Sequence, residues 1–241
     1  ADTWLNEAYA AQHRAMGSRW PAFSRLGSAR GPWGARPSAG EGLVGQGAFA
    51  EHRSTLHFTG DTCSTWELIR FAAEFTAAEG AAIGVPYVSH DIGSFHGPRE
   101  AGEGCAVAPF TPVLPDDMYV RWIQLGTFQP ILRLHSQHGQ RLPWEYTGEA
   151  ATIAADFLRL RERLVPYLYT LGRAAHDSGL PLVRALYLQW PDQDEAYNAP
   201  SHFTLGDGLF VATVAAPGTP ASVTFWLPPG QSYCTDIVEV A

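Results

Sequence analysis

Two features of this 241-residue chain predict an α/β fold. Over residues 1–180, strand-like segments alternate with amphipathic helical ones about four times, the pattern of parallel strands joined by crossover helices. From Leu180 onward "LVRALYLQW", "HFTLGDGLFVATVA" and "ASVTFWLP" read as strands separated by Pro, Gly, Asp and Asn, so a domain boundary is placed near residue 180. Four strand-helix units amount to about half of a (β/α)8 barrel.

The opening "TWLNEAYAAQHRAMG" gathers Trp4, Leu5, Ala8, Tyr9, Ala11 and Ala15 on one helical face and stops at Gly17. "RWPAFSRLG" follows as a short buried strand ending at Arg25, and residues 31–50, rich in Gly, Ala and Pro, read as a long loop. Ser54–Phe58 is strand-like. "STWE", Ser64–Glu67, matches a capping box opening a helix to about Glu79, with Trp66, Ile69, Ala73 and Thr76 inward. A second buried strand, Ile83–Ser89, ends in His90 and Asp91, and residues 98–115 form an irregular insertion. Asp116 and Asp117 suit the first turn of a helix Met118–Phe128. "PILRLHS" is a short strand ending at His135. In Glu149–Ser178, apolar residues from Ile153 to Leu171 recur at helical spacing, predicting a long helix that kinks near Pro166 and stops at Gly179.

Composition excludes several functions. A net charge of −8 with 17% charged residues gives no basic face for nucleic acid or an anionic membrane, and no apolar run reaches a membrane span. All 16 positive side chains are arginine, which rules out Schiff-base lysine chemistry and a lysine-bearing phosphate loop. Cys63, Cys105 and Cys234 are odd in number and widely spaced, so free thiols are expected. His135 and His138 lack a third ligand, so neither a metal nor any other cofactor is expected.

Polar residues recur where predicted strands end: Arg25, Asp61, Asp91 and His135. The carboxyl ends of barrel strands share one face, so these four can converge although distant in sequence. Each also has a structural reading. Asp61 after Gly60 fits a turn or helix cap, His90–Asp91 a turn pair, Arg25 a core ion pair, and Cys63 a small helix-start residue. Trp66 and Trp122 lie within helices and read as core.

The segments "FTGDTCSTWE", "VSHDIGSFHG", "YVRWIQLGTFQPILRLH", "LRLRERLVPYLYTL", "SGLPLVRALYLQWPD" and "LGDGLFVATV", in this order, resemble glycoside hydrolase family 31, the α-glucosidases and α-xylosidases. The resemblance implies the second half of a TIM-type barrel over residues 1–180 and the start of an antiparallel β-sandwich over 181–241. It implies that Asp61 is the catalytic acid/base of a retaining α-glycosidase. By the same resemblance Arg25, Asp91 and His135 bind the sugar, and Phe95 forms an aromatic wall with Phe58, where the family usually has tryptophan.

Such enzymes use two carboxylates roughly 5–5.5 Å apart, one attacking the anomeric carbon and one protonating the departing oxygen. A proton donor near neutral pH needs a carboxyl whose pKa is raised by burial or a neighbouring anion. In the family the nucleophilic aspartate precedes the helix that here begins near Trp4, so the resemblance implies a fragment carrying the acid/base without the nucleophile. The implied partners are an α-linked glycoside and the missing N-terminal half. A non-catalytic carbohydrate-binding or interaction module derived from the same barrel is the alternative.

Overall fold

The structure is a computed structural model describing residues 8, 11–12, 14–17, 56–97, 99–100, 103–105, 113–137, 141–218 and 221–230. Residues 8, 11, 12, 14 and 15 are helical, and Gly17 closes that turn at φ +67°, as the opening periodicity predicted. Arg25 and its predicted strand, the loop 31–50, Ser54 and His138 lie outside the described residues.

Strand β1, His57–Phe58, pairs in parallel with β2, Val88–Ser89. Helix α1, Trp66–Ile83, connects them. It buries Leu68, Ile69, Ala72, Ala73, Thr76 and Ala77, one face of a 3.6-residue period. The predicted strand Ile83–Ser89 is reduced to its last two residues, because Ala81–Ala82–Ile83 continue α1 until Gly84 turns out at φ +68°. At the predicted capping box, the Ser64 N–H is taken by Gly97 O at 2.9 Å. Ser64 Oγ donates to His96 O at 2.7 Å, and α1 starts only at Trp66.

The second insertion is not wholly irregular. β3, Arg99–Glu100, and β4, Glu103–Cys105, form an antiparallel pair with a register irregularity. Helix α2, Asp116–Thr127, matches its prediction, with Asp117 Oδ1 accepting the Met118 N–H at 2.8 Å in the first turn. After it "PILRLHS" contributes a single parallel bridge, Leu134 to Ile92, rather than a full strand.

A 3-10 turn, Pro143–Glu145, leads to helix α3, Gly148–Ser178. Gly179 ends it at φ +78°, where its N–H reaches Ala175 O at 2.8 Å. Then β5, Val183–Ala185, pairs antiparallel with β6, His202–Leu205, which pairs antiparallel with β7, Leu209–Ala212. A four-residue helix, α4 at Leu186–Gln189, replaces the rest of the strand predicted from "LVRALYLQW", and a second, α5 at Asp194–Tyr197, forms in the connection after it. Residues 221–228, predicted as a strand, form no regular element.

One core unites these pieces. α2 packs on α3 and α1 on β5, around Ile69, Ile92, Tyr119, Trp122, Ile123, Leu182, Phe203 and Leu205, all at most 1% exposed. Tyr119 stacks on Tyr146 with centroids 3.5 Å apart and planes 6° from parallel. Trp122 is core as predicted, and Trp66 is half-buried at the edge of the same core. Cys63, expected to be a free thiol, is instead fully buried and disulfide-bonded. Cysteine spacing carried no sign of this because a disulfide needs proximity in space, not in sequence.

Candidate functional site

Three parallel segments end side by side. β1 runs into Thr59, Gly60 and Asp61, β2 into His90 and Asp91, and the segment bridged at Leu134 into His135. Backbone bonds stitch the loops beyond them: His96 N–H to Thr62 O at 2.9 Å, Ser64 N–H to Gly97 O at 2.9 Å, and Gln137 N–H to Phe95 O at 3.0 Å. Gly60 takes φ +80°, a left-handed turn that costs a glycine little and sets Asp61 half-exposed beyond the strand end.

Asp91 has a fully buried carboxylate, and Arg133 Nη2 donates to its Oδ1. The Arg133 guanidinium also lies 5.0 Å from the centroid of the buried Phe58 ring, a cation-π distance. Phe95 faces the exposed His135 ring at 5.4 Å between centroids and the His96 ring at 4.9 Å, edge-on. The His135 imidazole is held below its ordinary pKa, first by partial burial and then by the charge of Arg133, while the carboxylate of Asp61 pulls the other way.

Under this surface lies His90, fully buried. Its Nδ1 is 2.8 Å from Thr59 Oγ1 and its Nε2 is 2.7 Å from Thr76 Oγ1. Thr76 gives its single hydroxyl hydrogen to Ala72 O at 2.9 Å, so it accepts from Nε2–H, and Nδ1 accepts from Thr59. Burial pushes this imidazole down to about 3, partly offset by Gln129 beside it, so the ring stays neutral. Buried Arg141 braces the loop after Asp91, donating from Nε to Gly93 O at 2.8 Å. Gly93 has φ +96°, and any side chain there would collide with Arg141.

Five of the six residues singled out in the sequence are described, and the structure gathers them. Phe58 and Asp91 meet at Arg133, Phe95 meets His135, and Asp61 is near enough to His135 to act on its charge. Sequence reasoning missed Arg133, Thr59 and Arg141, and read His90 only at a strand end, as half of a turn pair with Asp91. Arg133 had a signal, since it stands two residues before His135 and so on the same side of an extended segment. What such a surface can do chemically is bind hydroxyls between aromatic faces, with a half-exposed carboxyl available for proton transfer.

Comparison with known proteins agrees with the resemblance seen in the motifs. Residues 43–171 match the "Glycosyl hydrolases family 31 TIM-barrel domain" and residues 179–238 the "Glycosyl hydrolase family 31 C-terminal domain". The chain is 36% identical over 183 residues to a probable alpha-glucosidase of Oryza sativa subsp. japonica, covering 74% of this chain and 18% of that protein. It is similar to the cycloalternan-degrading enzyme from Trueperella pyogenes, with TM-score 0.66 and 29% identity over 88% of this chain and 27% of that one. It is also similar to a Flavobacterium johnsoniae dextranase complexed with glucose, with TM-score 0.58 and 30% identity over 69% of this chain and 20% of the other. It thus spans between 18% and 27% of the length of these relatives. The matched regions assign it a TIM-barrel fold. With a family model covering more than half its residues, the chain belongs to glycosyl hydrolase family 31.

Proposed function

We propose that this chain is the acid/base-bearing part of a retaining α-glycosidase that hydrolyses terminal α-linked glucosides or xylosides. The observation carrying the proposal is the convergence of Asp61, Asp91 and His135 at the ends of three parallel segments, flanked by Phe58 and Phe95. In this reading Asp61 protonates the departing oxygen, then deprotonates the water that resolves the glycosyl-enzyme. His135 bonds to a sugar hydroxyl and the Phe95 ring faces the apolar side of the sugar, while Asp91 and Phe58 lie buried behind them. Arg25 contributes donors to the same subsite. A second carboxylate, not assigned among these residues, acts as the nucleophile. Residues 1–180 belong to the second half of the barrel, and 181–241 open a β-sandwich domain.

The test uses the full-length protein. Asp61→Ala is expected to lower kcat/KM on an alkyl α-glucoside by at least about 100-fold, the scale of general acid catalysis, while largely sparing an α-glycosyl fluoride, which departs without a proton. Equal losses on both substrates would remove Asp61 from that role. Sugar binding without turnover, abolished by His135→Ala, would favour the carbohydrate-binding module.

A further inference from the structure

Arg133 stands at the middle of the site without having been assigned a part in it. It pairs with the fully buried carboxylate of Asp91, covers the Phe58 ring at 5.0 Å, and its charge acts on His135. Its own side chain is 34% exposed, so it reaches from solvent down to a buried anion. The backbone fixes it there: Ile92 N–H donates to Arg133 O at 3.0 Å, and Ile92 bridges Leu134, which locks the residue after Asp91 to the residue before His135. A carboxylate buried to this degree takes up a proton unless a cation and donors hold it. A protonated Asp91 would offer Arg133 one acceptor fewer and no charge to hold it.

We propose that Arg133 is a positioning residue, anchored from below by the buried Asp91 carboxylate and the Phe58 ring, that holds its part-exposed cation beside His135 at the sugar-binding surface. The inference depends on the α-glycosidase reading above, because it acts through His135 on bound sugar. Guanidinium geometry suits the task. One nitrogen donates to Asp91 while the guanidinium carbon sits 5.0 Å over an aromatic ring, a reach that the compact ammonium of lysine does not match.

A double-mutant cycle in the full-length protein tests this, with kcat and KM measured on an aryl α-glucoside for Arg133→Gln, Arg133→Lys, Asp91→Asn and the two pairs. Arg133→Gln is expected to lower kcat/KM by about 10- to 100-fold, the scale of one charge-assisted hydrogen bond. In the Asp91→Asn background the same change is expected to cost less than about threefold, since the partner is already lost. Arg133→Lys should recover part of the loss. Equal losses in both backgrounds, or wild-type kcat/KM in Arg133→Gln, would overturn the proposal. If Arg133→Gln fails to fold by thermal melting, Arg133→Lys with Asp91→Asn completes the cycle.

Failure of the underlying reading shows separately, as an Asp61→Ala enzyme with unchanged activity. In that event the NMR titration of His135 still tests the geometry. Its midpoint is expected to rise in Arg133→Gln, because a positive neighbour has gone, and a midpoint that stays or falls would overturn the placement of Arg133.

Discussion

His90 connects the chemistry of the site to the stability of the molecule. It bridges Thr59, two residues before Asp61, to Thr76 on α1, and it adjoins Asp91. Its folded pKa of about 3 lies below the ordinary 6.5, so the unfolded chain binds a proton that the folded chain refuses. The resulting stabilisation is complete above about pH 6.5 and is lost as pH falls toward 3. Urea unfolding at pH 7 and pH 4.5 should show a loss of about 2–3 kcal/mol attributable to His90, absent from His90→Gln. An equal loss in that variant would remove His90 as the cause. Ser94 offers the opposite prediction. It holds φ +66° with its buried hydroxyl unbonded, so Ser94→Gly is expected to stabilise by up to about 1 kcal/mol in the same assay. Asp61, Asp91 and His135 were legible because a polar residue closing an apolar run is a sequence-level signal. Arg133 was harder to see because its partner Asp91 is 42 residues away.

Helices were far more legible than strands. α2 and α3 match their predicted spans to within two residues at either end, because a long amphipathic repeat needs no distant partner to declare itself. The strands shrank because β pairing is decided by neighbours that arrive from elsewhere in the chain. Ala81–Ala82–Ile83 fit a strand pattern locally yet extend α1, where helix-forming alanines prevail until Gly84. Packing between elements also depends on single side chains that no periodicity marks. Arg161 on α3 donates to the carbonyls of Thr127, Gln129 and Pro130, closing the end of α2 and fixing the segment that leads to Arg133 and His135. Arg161→Gln should therefore cost about 2–3 kcal/mol in urea unfolding, as charge-assisted bonds to three carbonyls are lost. A change under about 0.5 kcal/mol would mean that α2 closes without it.

For the molecule as a whole, one core runs from the parallel segments through α1–α3 to the antiparallel sheet β5–β6–β7, which α1 contacts directly. Cys63, two residues beyond Asp61, is fully buried and disulfide-bonded. Cys63→Ala is expected to lower stability by about 2–4 kcal/mol, the usual contribution of a native disulfide, and to lower the melting temperature in the absence of reductant. An unchanged melting temperature would show that the cross-link contributes nothing to the fold.

Periodicity and motif order were enough to read the α/β class, the two long helices and the polar residues at strand ends, because each is written in neighbouring residues. Strand lengths, the state of Cys63, the neutral His90 bridge and the grouping of Asp91, Phe58 and His135 around Arg133 depended on tertiary structure. Each of these needs groups separated in sequence to be buried together, where desolvation makes every polar atom seek a partner.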